Sequence, residues 1–186
     1  EADVIISLPV LKNHMMAAVT GAIKNVAIGA SPAVIYANDG LTRMAIDHSW
    51  EPLNNYIHDH YLARPVDFVV TDGLQATANG PLAAGVESLE DAQMNMRLIL
   101  AGKDALAVDT VHALITGVDP ENVNYFTALA NDNVGLMDPA KINVVGNVRV
   151  DQVCKPFGFP GFPFSMMNPI PRTTVYTDFE APQVTI

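Results

Sequence analysis

Apolar, β-branched runs alternate along the chain with segments that have helical spacing. The runs are residues 3–10, 66–72, 96–101 and 141–146. Strands of this composition are typically buried on both faces. Their alternation with helical segments predicts an α/β fold, in which helices cover both faces of a mainly parallel or mixed sheet.

Helices are predicted from capping residues, C-terminal glycines and apolar residues that recur at helical spacing. The predicted segments are residues 15–29, Thr42 to about residue 50, Pro52 to about Leu62, Asp104 to Gly117, and Asp119 to about residue 131. Residues 30–41 and 73–85 lack periodicity and are expected to be loops. Pro9 is expected to end the first strand, because proline has no backbone N–H to donate.

Residues 1–150 are expected to form one α/β domain, followed by an arm over residues 151–186 that is not an independent domain. The arm is rich in phenylalanine, and six of the 13 prolines lie in residues 156–182, which excludes a regular helix there. It is expected to pack on its own domain or on a partner. Because Glu1 stands almost directly before a strand, we expect the chain to be a fragment of a longer protein.

The charge and the cysteine content exclude several classes of function. The net charge is −10, and no run of basic residues offers a surface for nucleic acid or for an anionic membrane. A single cysteine, Cys154, cannot form an internal disulfide or hold an iron–sulfur cluster. No apolar run reaches the ~20 residues that a membrane-spanning helix needs. The composition leaves cytoplasmic and exported locations open.

The first candidate site follows the first predicted strand. Lys12 and His14 stand where an α/β sheet usually binds ligands, and Thr20 and Lys24 lie in the next, alanine-rich segment. A buried lysine can become a nucleophile or a covalent anchor, and a histidine can transfer protons near neutral pH. The alternative is structural: Lys24 extends its ammonium to solvent, and His14 hydrogen-bonds the loop. The spacing of a phosphate-binding P-loop is absent.

A second candidate site is the loop predicted after the strand at residues 66–72. Asp72 stands at the strand end, a common position for a carboxylate that binds a ligand or a metal ion, and Asn79 follows in the same loop. The sequence Asn79-Gly80-Pro81 is also an ordinary turn signal. Functional and structural interpretations of this loop stay open.

The remaining histidines are weaker candidates for metal binding. His48 stands beside the only tryptophan, while His58 and His60 are two residues apart on a predicted helix and point to different sides of it. Asp109 and His112 share one face of another helix, where a structural role is favoured. Of these, His48 is kept as a candidate metal ligand.

Five blocks in order resemble the family known as domain of unknown function 362. They are DVIISLPVLKNH, VTGAIKNVAIG, VVTDGL with NGP, AGKDALAVDTVHALITGVDP and INVVGN, and together they span about residues 2–147. Members of that family are often joined to ferredoxin-type iron–sulfur modules. The resemblance therefore implies an iron–sulfur module or a missing N-terminal segment as a partner, with no cluster in this chain itself.

The segment from His14 to Lys24 also resembles, more distantly, the nickel-pincer lactate racemases. That resemblance implies proton transfer by His14, a covalent cofactor anchor at Lys24 and nickel ligation by His48. Ala22 stands where those enzymes have the second glycine of a Thr-Gly-Gly turn. The sequence-based cofactor hypothesis is therefore a transition metal such as nickel.

Two functions are compatible with these features. One is a metal- or cofactor-dependent enzyme domain that acts on a small organic acid, with His14 and Lys24 as catalytic residues and Lys24, Thr20, Asp72 and Asn79 as cofactor-binding residues. The other is a non-catalytic docking module of a larger iron–sulfur protein. We expect the former, because polar residues converge on one edge of the predicted sheet.

Overall fold

A computed structural model describes residues 2–36, 45–78, 80, 88, 90–157 and 183–186. Within these residues, seven strands alternate with helices along the chain. The strands are β1 (Ile6–Ser7), β2 (Val10–His14), β3 (Ala18–Thr20), β4 (Phe68–Thr77), β5 (Leu98–Gly102), β6 (Asn143–Val145) and β7 (Gln183–Thr185). The α-helices are α1 (Ala22–Gly29), α2 (Ala33–Tyr36), α3 (Trp50–Ala63), α4 (Ala105–Ile115), α5 (Asn124–Asn131) and α6 (Val150–Val153), and short 3-10 helices span Glu90–Ala92, Pro120–Asn122 and Pro139–Lys141.

All seven strands belong to one sheet with the order β3-β2-β4-β5-β7-β6, and β1 pairs with β4 beside this path. The pairings of β4 with β1 and β2, and of β6 with β7, are parallel. The pairings β2–β3, β4–β5 and β5–β7 are antiparallel. The α/β class with a mixed sheet is thus confirmed. None of the helices in the described part of the chain is both long and apolar enough to cross a membrane.

One face of the sheet carries the core. Its side chains alternate along the strands with those of the opposite face, and Leu11, Val69, Leu100 and Val184 are fully buried on it. Helix α4 contacts β3, β4, β5 and β7, while α1 packs between α3 and α4. On the opposite face, aliphatic side chains of the described strands and their connections are exposed. This outer aliphatic face consists of Ile6, Leu8, Val10, Leu74 and Ile99.

The segment predicted as one helix over residues 15–29 is a hairpin followed by a helix. His14 pairs with Ala18 and Lys12 with Thr20, so β3 is antiparallel to β2. Ala18 has a φ of 61°, which a helix does not allow. Helix α1 therefore begins only at Ala22, and the predicted end at Gly29 is confirmed. The helix was predicted to start too early. Val19 and Thr20 form a strand because they pair with β2, and the local sequence does not show this pairing.

Other predicted boundaries also shift. Pro9 ends β1, but the chain resumes as β2 one residue later, so Lys12 and His14 lie within a strand. Strand β4 runs five residues past Asp72 to Thr77, where a loop was predicted. The first part of the loop predicted at residues 30–41 contains α2. Of the helix predicted from Thr42, residues 42–44 lie outside the described residues, and residues 45–49 are not helical.

Helix α4 matches its prediction at both ends. The Asp104 carboxylate caps it by accepting the Ala107 N–H at 3.0 Å, and its second oxygen accepts the Leu136 N–H at 2.9 Å. The backbone then turns at Gly117, whose φ of 77° favours glycine. Every residue of α4 is buried, so this helix is the centre of the core.

A carboxylate from α4 caps a different helix. Asp109 is fully buried, and its two oxygens accept the Ala22 and Ile23 N–H groups at 2.7 and 3.0 Å. These are the first two residues of α1, where the helix dipole favours a negative charge. A Cβ atom added at Gly21 would lie 2.1 Å from one Asp109 oxygen, so only glycine permits this approach.

Both ends of the C-terminal arm contact the α/β domain. Phe157 is fully buried and its N–H donates to the Thr116 carbonyl, while β7 enters the sheet between β5 and β6. Residues 158–182 lie outside the described residues. The domain boundary at residue 150 stays a prediction.

The Gly21–Asp109 contact predicts opposite effects for two glycine substitutions in and beside α1. Gly21→Ala should lower the free energy of unfolding by about 2–4 kcal/mol, because the added methyl group displaces the capping carboxylate. Gly29→Ala is the control: its Cβ would meet nothing closer than the Asn25 side chain at 3.9 Å. It should be neutral or stabilising by up to about 1 kcal/mol. Urea unfolding followed by circular dichroism measures both, and equal effects would contradict the proposed clash.

Candidate functional site

The β2–β3 hairpin places three polar side chains on one of its faces. Lys12 and His14 are two residues apart on β2, and Thr20 stands directly opposite Lys12 on β3. Residues at this spacing point to the same side of a strand, and direct partners across a pair are neighbours. The hairpin therefore groups Lys12, His14 and Thr20, as expected for the first candidate site.

Helix α1 adds Lys24 to this group. The helix starts two residues after Thr20, and Lys24 is its third residue. The positive charges of Lys24, His48 and Lys12 all act on His14, and the charge of Lys12 acts on Lys24. His48 precedes α3 in an irregular segment. We call these four residues and Thr20 the basic pocket.

His14 is held as a neutral ring in one tautomer. It is 4% exposed, and its Nδ1 atom accepts the backbone N–H groups of Met16 and Ala17 at 3.1 and 3.2 Å. Burial, and after it the charges of Lys24, His48 and Lys12, lowers the pKa of His14 to about 3. Because Nδ1 is an acceptor, the ring proton sits on Nε2, which is therefore a hydrogen-bond donor.

His48 has the opposite tautomer. Its Nδ1 atom lies 2.6 Å from the Ile46 carbonyl oxygen, which can only accept, so Nδ1 carries the proton. The Nε2 lone pair is then available to a proton or a metal ion, and the carbonyl orients the ring as second-shell groups do for metal-bound histidines. The two histidines of the basic pocket are thus one donor and one acceptor.

Lys24 is buried without a hydrogen-bond acceptor among the described residues. The residue is only 8% exposed, and the ion pairs of the described chain involve His58, Arg64, Lys141 and Arg149 as cations. Burial, and then the charge of Lys12, lowers the pKa of Lys24 to about 8. The Thr20 hydroxyl is likewise buried and has no partner there. Buried polar groups normally have partners, so the Thr20 hydroxyl marks a candidate site for a ligand.

The basic pocket carries excess positive charge in an acidic protein. No carboxylate in the described part of the chain forms an ion pair with Lys12, His14, Lys24 or His48. Asp47, next to His48, is exposed and accepts hydrogen bonds from Ser49 instead. The pocket is therefore suited to a small anion.

Buried side chains behind the hairpin fix its position. The Nε2 atom of His112 lies 3.1 Å from the Lys12 carbonyl oxygen and donates to it. Asn13 donates to the Phe157 carbonyl at 3.1 Å and accepts the Gly80 N–H at 3.0 Å. Asp109 fixes the start of α1, as described above. These contacts agree with the structural role favoured for Asp109 and His112. The sequence around these residues does not predict that Asp109 contacts α1 or that His112 contacts Lys12.

The structure does not bring every candidate residue to the basic pocket. Asp72 pairs with Val10 and Ile99 on the exposed side of the sheet, and its carboxylate accepts the Leu74 N–H at 2.9 Å. Its role in ligand binding stays a prediction, as does that of Asn79, which lies outside the described residues. The described residues contain no group of three metal-binding side chains, and nickel ligation by His48 also stays a prediction.

His58 and His60 have structural partners. His58 bonds Asp59 at 2.8 Å and Asp132 at 3.0 Å, which links α3 to the end of α5. The His60 ring stacks on Tyr56 with a centroid distance of 3.6 Å. These contacts hold both rings against neighbouring side chains. Cys154, a free thiol, is half-buried, and burial raises its pKa.

Comparison with protein families gives one match. The model of the family described as Domain of unknown function (DUF362) matches residues 1–113. Comparisons with curated proteins and with solved structures gave no match. The matched residues include all five members of the basic pocket and also Asp109 and His112.

Burial of His14 predicts a specific contribution to acid sensitivity. The unfolded chain protonates His14 near its ordinary pKa of 6.5, whereas the folded chain resists protonation down to about pH 3. His14 therefore lowers the free energy of unfolding as the pH falls through this window. His14→Asn keeps an acceptor for the Met16 and Ala17 N–H groups and should reduce the slope by up to about 1.4 kcal/mol per pH unit.

Comparison with two other groups makes this measurement specific. Burial raises the pKa of Asp109 from 3.8 to about 7, so Asp109 contributes a slope of opposite sign between those values in every variant. For His58, hydrogen bonds to Asp59 and Asp132 outweigh burial and raise the pKa. His58→Gln should therefore steepen the loss of stability as the pH falls towards 6.5, and leave the slope at lower pH unchanged. Urea unfolding at pH 4–8 tests this, and an unchanged slope in His14→Asn would contradict it.

Proposed function

The chain belongs to the DUF362 family, and we propose that its basic pocket is the active site of an enzyme domain that binds a small organic acid and transfers a proton. The observation that carries this proposal is the convergence of Lys12, His14, Lys24 and His48 without a carboxylate partner among the described residues. A carboxylate ligand would supply the missing negative charge. It would also offer acceptors to the Lys24 ammonium and the Thr20 hydroxyl.

The tautomers of the two histidines support proton transfer. His14 presents an Nε2–H donor that stays neutral throughout the physiological pH range, so it suits hydrogen bonding to an oxygen that gains charge during the reaction. His48 presents an Nε2 lone pair that can accept a proton. One residue thus donates and the other accepts, which is the division of roles that removal of a proton next to a carboxylate or carbonyl group requires.

A bound cofactor is compatible with the same residues. His48 Nε2 would ligate a transition metal such as nickel, and the free Lys24 amine would hold a cofactor covalently. When bound, such a group would supply an electron or hydride acceptor for the organic acid. The side chains of this chain would still bind the acid and hold a proton at His14 Nε2, whereas the Nε2 atom of His48 would be occupied by the metal.

The proposal predicts selective binding of carboxylates that depends on Lys24. Lactate and pyruvate should bind, and their neutral amides should bind far more weakly. Lys24→Met should weaken the affinity about tenfold or more, because it removes a charged hydrogen-bond donor from a buried site. Lys103→Met is the control. This exposed lysine follows β5 at one end of the sheet, whereas Lys12 pairs with Thr77 of β4 at the other end. Isothermal titration measures these affinities, and equal binding to both variants would contradict the proposal.

The second candidate function, docking within a larger iron–sulfur protein, is favoured by the outer aliphatic face. Leu8 is 69% exposed and Ile6 is 55% exposed, and large apolar patches commonly mark protein interfaces. On this hypothesis the partner covers β1, β2 and β5. The basic pocket would then have no role in the association.

Docking predicts a different response to mutation. Ile99→Lys should remove a stoichiometric partner that co-purifies with the tagged chain from its native host, because it places a charge in an apolar interface. Lys24→Met should retain that partner. Quantitative mass spectrometry of both preparations distinguishes the two functions. Loss of the partner in Lys24→Met but not in Ile99→Lys would contradict docking through this face.

A further inference from the structure

Lys24 occupies a position where a positive charge is unfavourable in two respects. It is more than nine-tenths buried, and no described residue accepts a hydrogen bond from it. The charged groups that act on it and on its neighbour His14 are Lys12 and His48, which are also basic. Each factor favours the neutral amine over the ammonium ion.

A buried neutral amine is a nucleophile, and the most common partners of nucleophilic lysines are carbonyl groups. We propose that Lys24 forms an imine with the carbonyl carbon of a small 2-oxo acid. This inference rests on the proposed binding of small organic acids and names the substrate class and the reactive atom. It assigns the carboxylate and the carbonyl of one ligand to different groups of the basic pocket.

The hairpin supplies the carboxylate subsite. Lys12 and Thr20 are direct partners across β2 and β3, so their side chains start from neighbouring positions on the same face of the hairpin. The Thr20 hydroxyl is buried and unpartnered within the described residues. Together they can bind both oxygens of one carboxylate, as charge-assisted hydrogen bonds require. Lys24, one turn into the following helix, is then left to the adjacent carbonyl carbon.

The chemistry balances without a further reactant. The Lys24 lone pair attacks the carbonyl carbon, a C–N bond forms, and the π electrons of the C=O bond move to oxygen, which takes up a proton. The resulting carbinolamine loses one water molecule, and the C=N bond of the imine replaces the C–O bond. Neutral His14, through Nε2–H, stabilises the developing charge on oxygen. His48, through Nε2, accepts each proton that leaves the nitrogen and returns it to the oxygen, which departs as water.

Reductive trapping tests the inference on the intact wild-type chain. The protein is incubated with pyruvate and sodium cyanoborohydride, and the modified lysine is located by peptide mass spectrometry. We expect one carboxyethyl group per chain, predominantly at Lys24. The other four lysines of the sequence, Lys12, Lys103, Lys141 and Lys155, are internal controls in the same sample. Equal labelling of Lys24 and the exposed Lys103 would overturn the proposal.

Two variants and a second ligand test the assignment of groups. Lys12→Met should slow trapping of pyruvate at Lys24 about tenfold or more but leave trapping of the uncharged propanal nearly unchanged, because only pyruvate uses the carboxylate subsite. Lys103→Met should change neither rate. If Lys12→Met slows both ligands equally, Lys12 does not bind the carboxylate and the assignment is wrong.

The outcomes separate this inference from the proposed function. Lactate has the carboxylate of pyruvate but no carbonyl group, so it tests binding alone. If lactate and pyruvate both bind by titration but pyruvate is not trapped, imine formation is overturned and organic-acid binding stands. If neither ligand binds nor is trapped, both proposals fail. Trapping at Lys24 that lactate inhibits competitively would support both.

Discussion

The carboxylate of Asp109 at the start of α1 is the interaction on which the rest of this structure depends. Burial raises its pKa to about 7, and the hydrogen bonds from Ala22 and Ile23 act in the opposite direction. Burial of a carboxyl group is costly unless hydrogen bonds compensate for lost water, and two N–H groups at a helix N-terminus provide this compensation. The contact joins the central helix α4 to α1 across 87 residues of sequence. It therefore fixes where α1 begins and, two residues later, where Lys24 lies.

The same contact bears on the surroundings of Lys24. The Asp109 carboxylate accepts the two N–H groups that this end of the helix offers to a negative group. Lys24 itself forms no ion pair with a carboxylate of the described residues. The contact that fixes the fold thus leaves the ammonium of Lys24 dependent on a ligand. A stable helix start and a reactive lysine are two consequences of one arrangement.

Local signals in the sequence predicted local structure. The cap at Asp104 and the turn at Gly117 bounded α4 correctly, because both act within one helical turn. The hairpin was predicted as helix, because Ala18, Val19 and Thr20 form a strand only through pairing with β2. Likewise, β4 continues beyond Asp72 because residues 74–76 accept backbone N–H groups from residues 94–97 and Thr77 pairs with Lys12 of β2. His14, Thr20 and Lys24 were proposed as candidates from the sequence, whereas the cap from Asp109 to α1 was not predicted, since its partners are far apart in sequence.

The topology separates the basic pocket from the far edge of the sheet. Strands β2 and β3, which carry Lys12, His14 and Thr20, form one edge, and β6 and β7 form the other. The family match ends at residue 113, after Asp109 and His112 and before both far strands. The matched segment therefore contains the basic pocket and helix α1 with Lys24. It also contains Asp109 and His112 of α4, whose side chains contact α1 and Lys12. Asn13, which bonds Phe157, is a direct link from the pocket edge to later residues. The Tyr125 hydroxyl, which donates to the Val19 carbonyl at 3.3 Å, is a second such link. Changes beyond residue 113 should consequently reach the basic pocket through these two bonds or through α4.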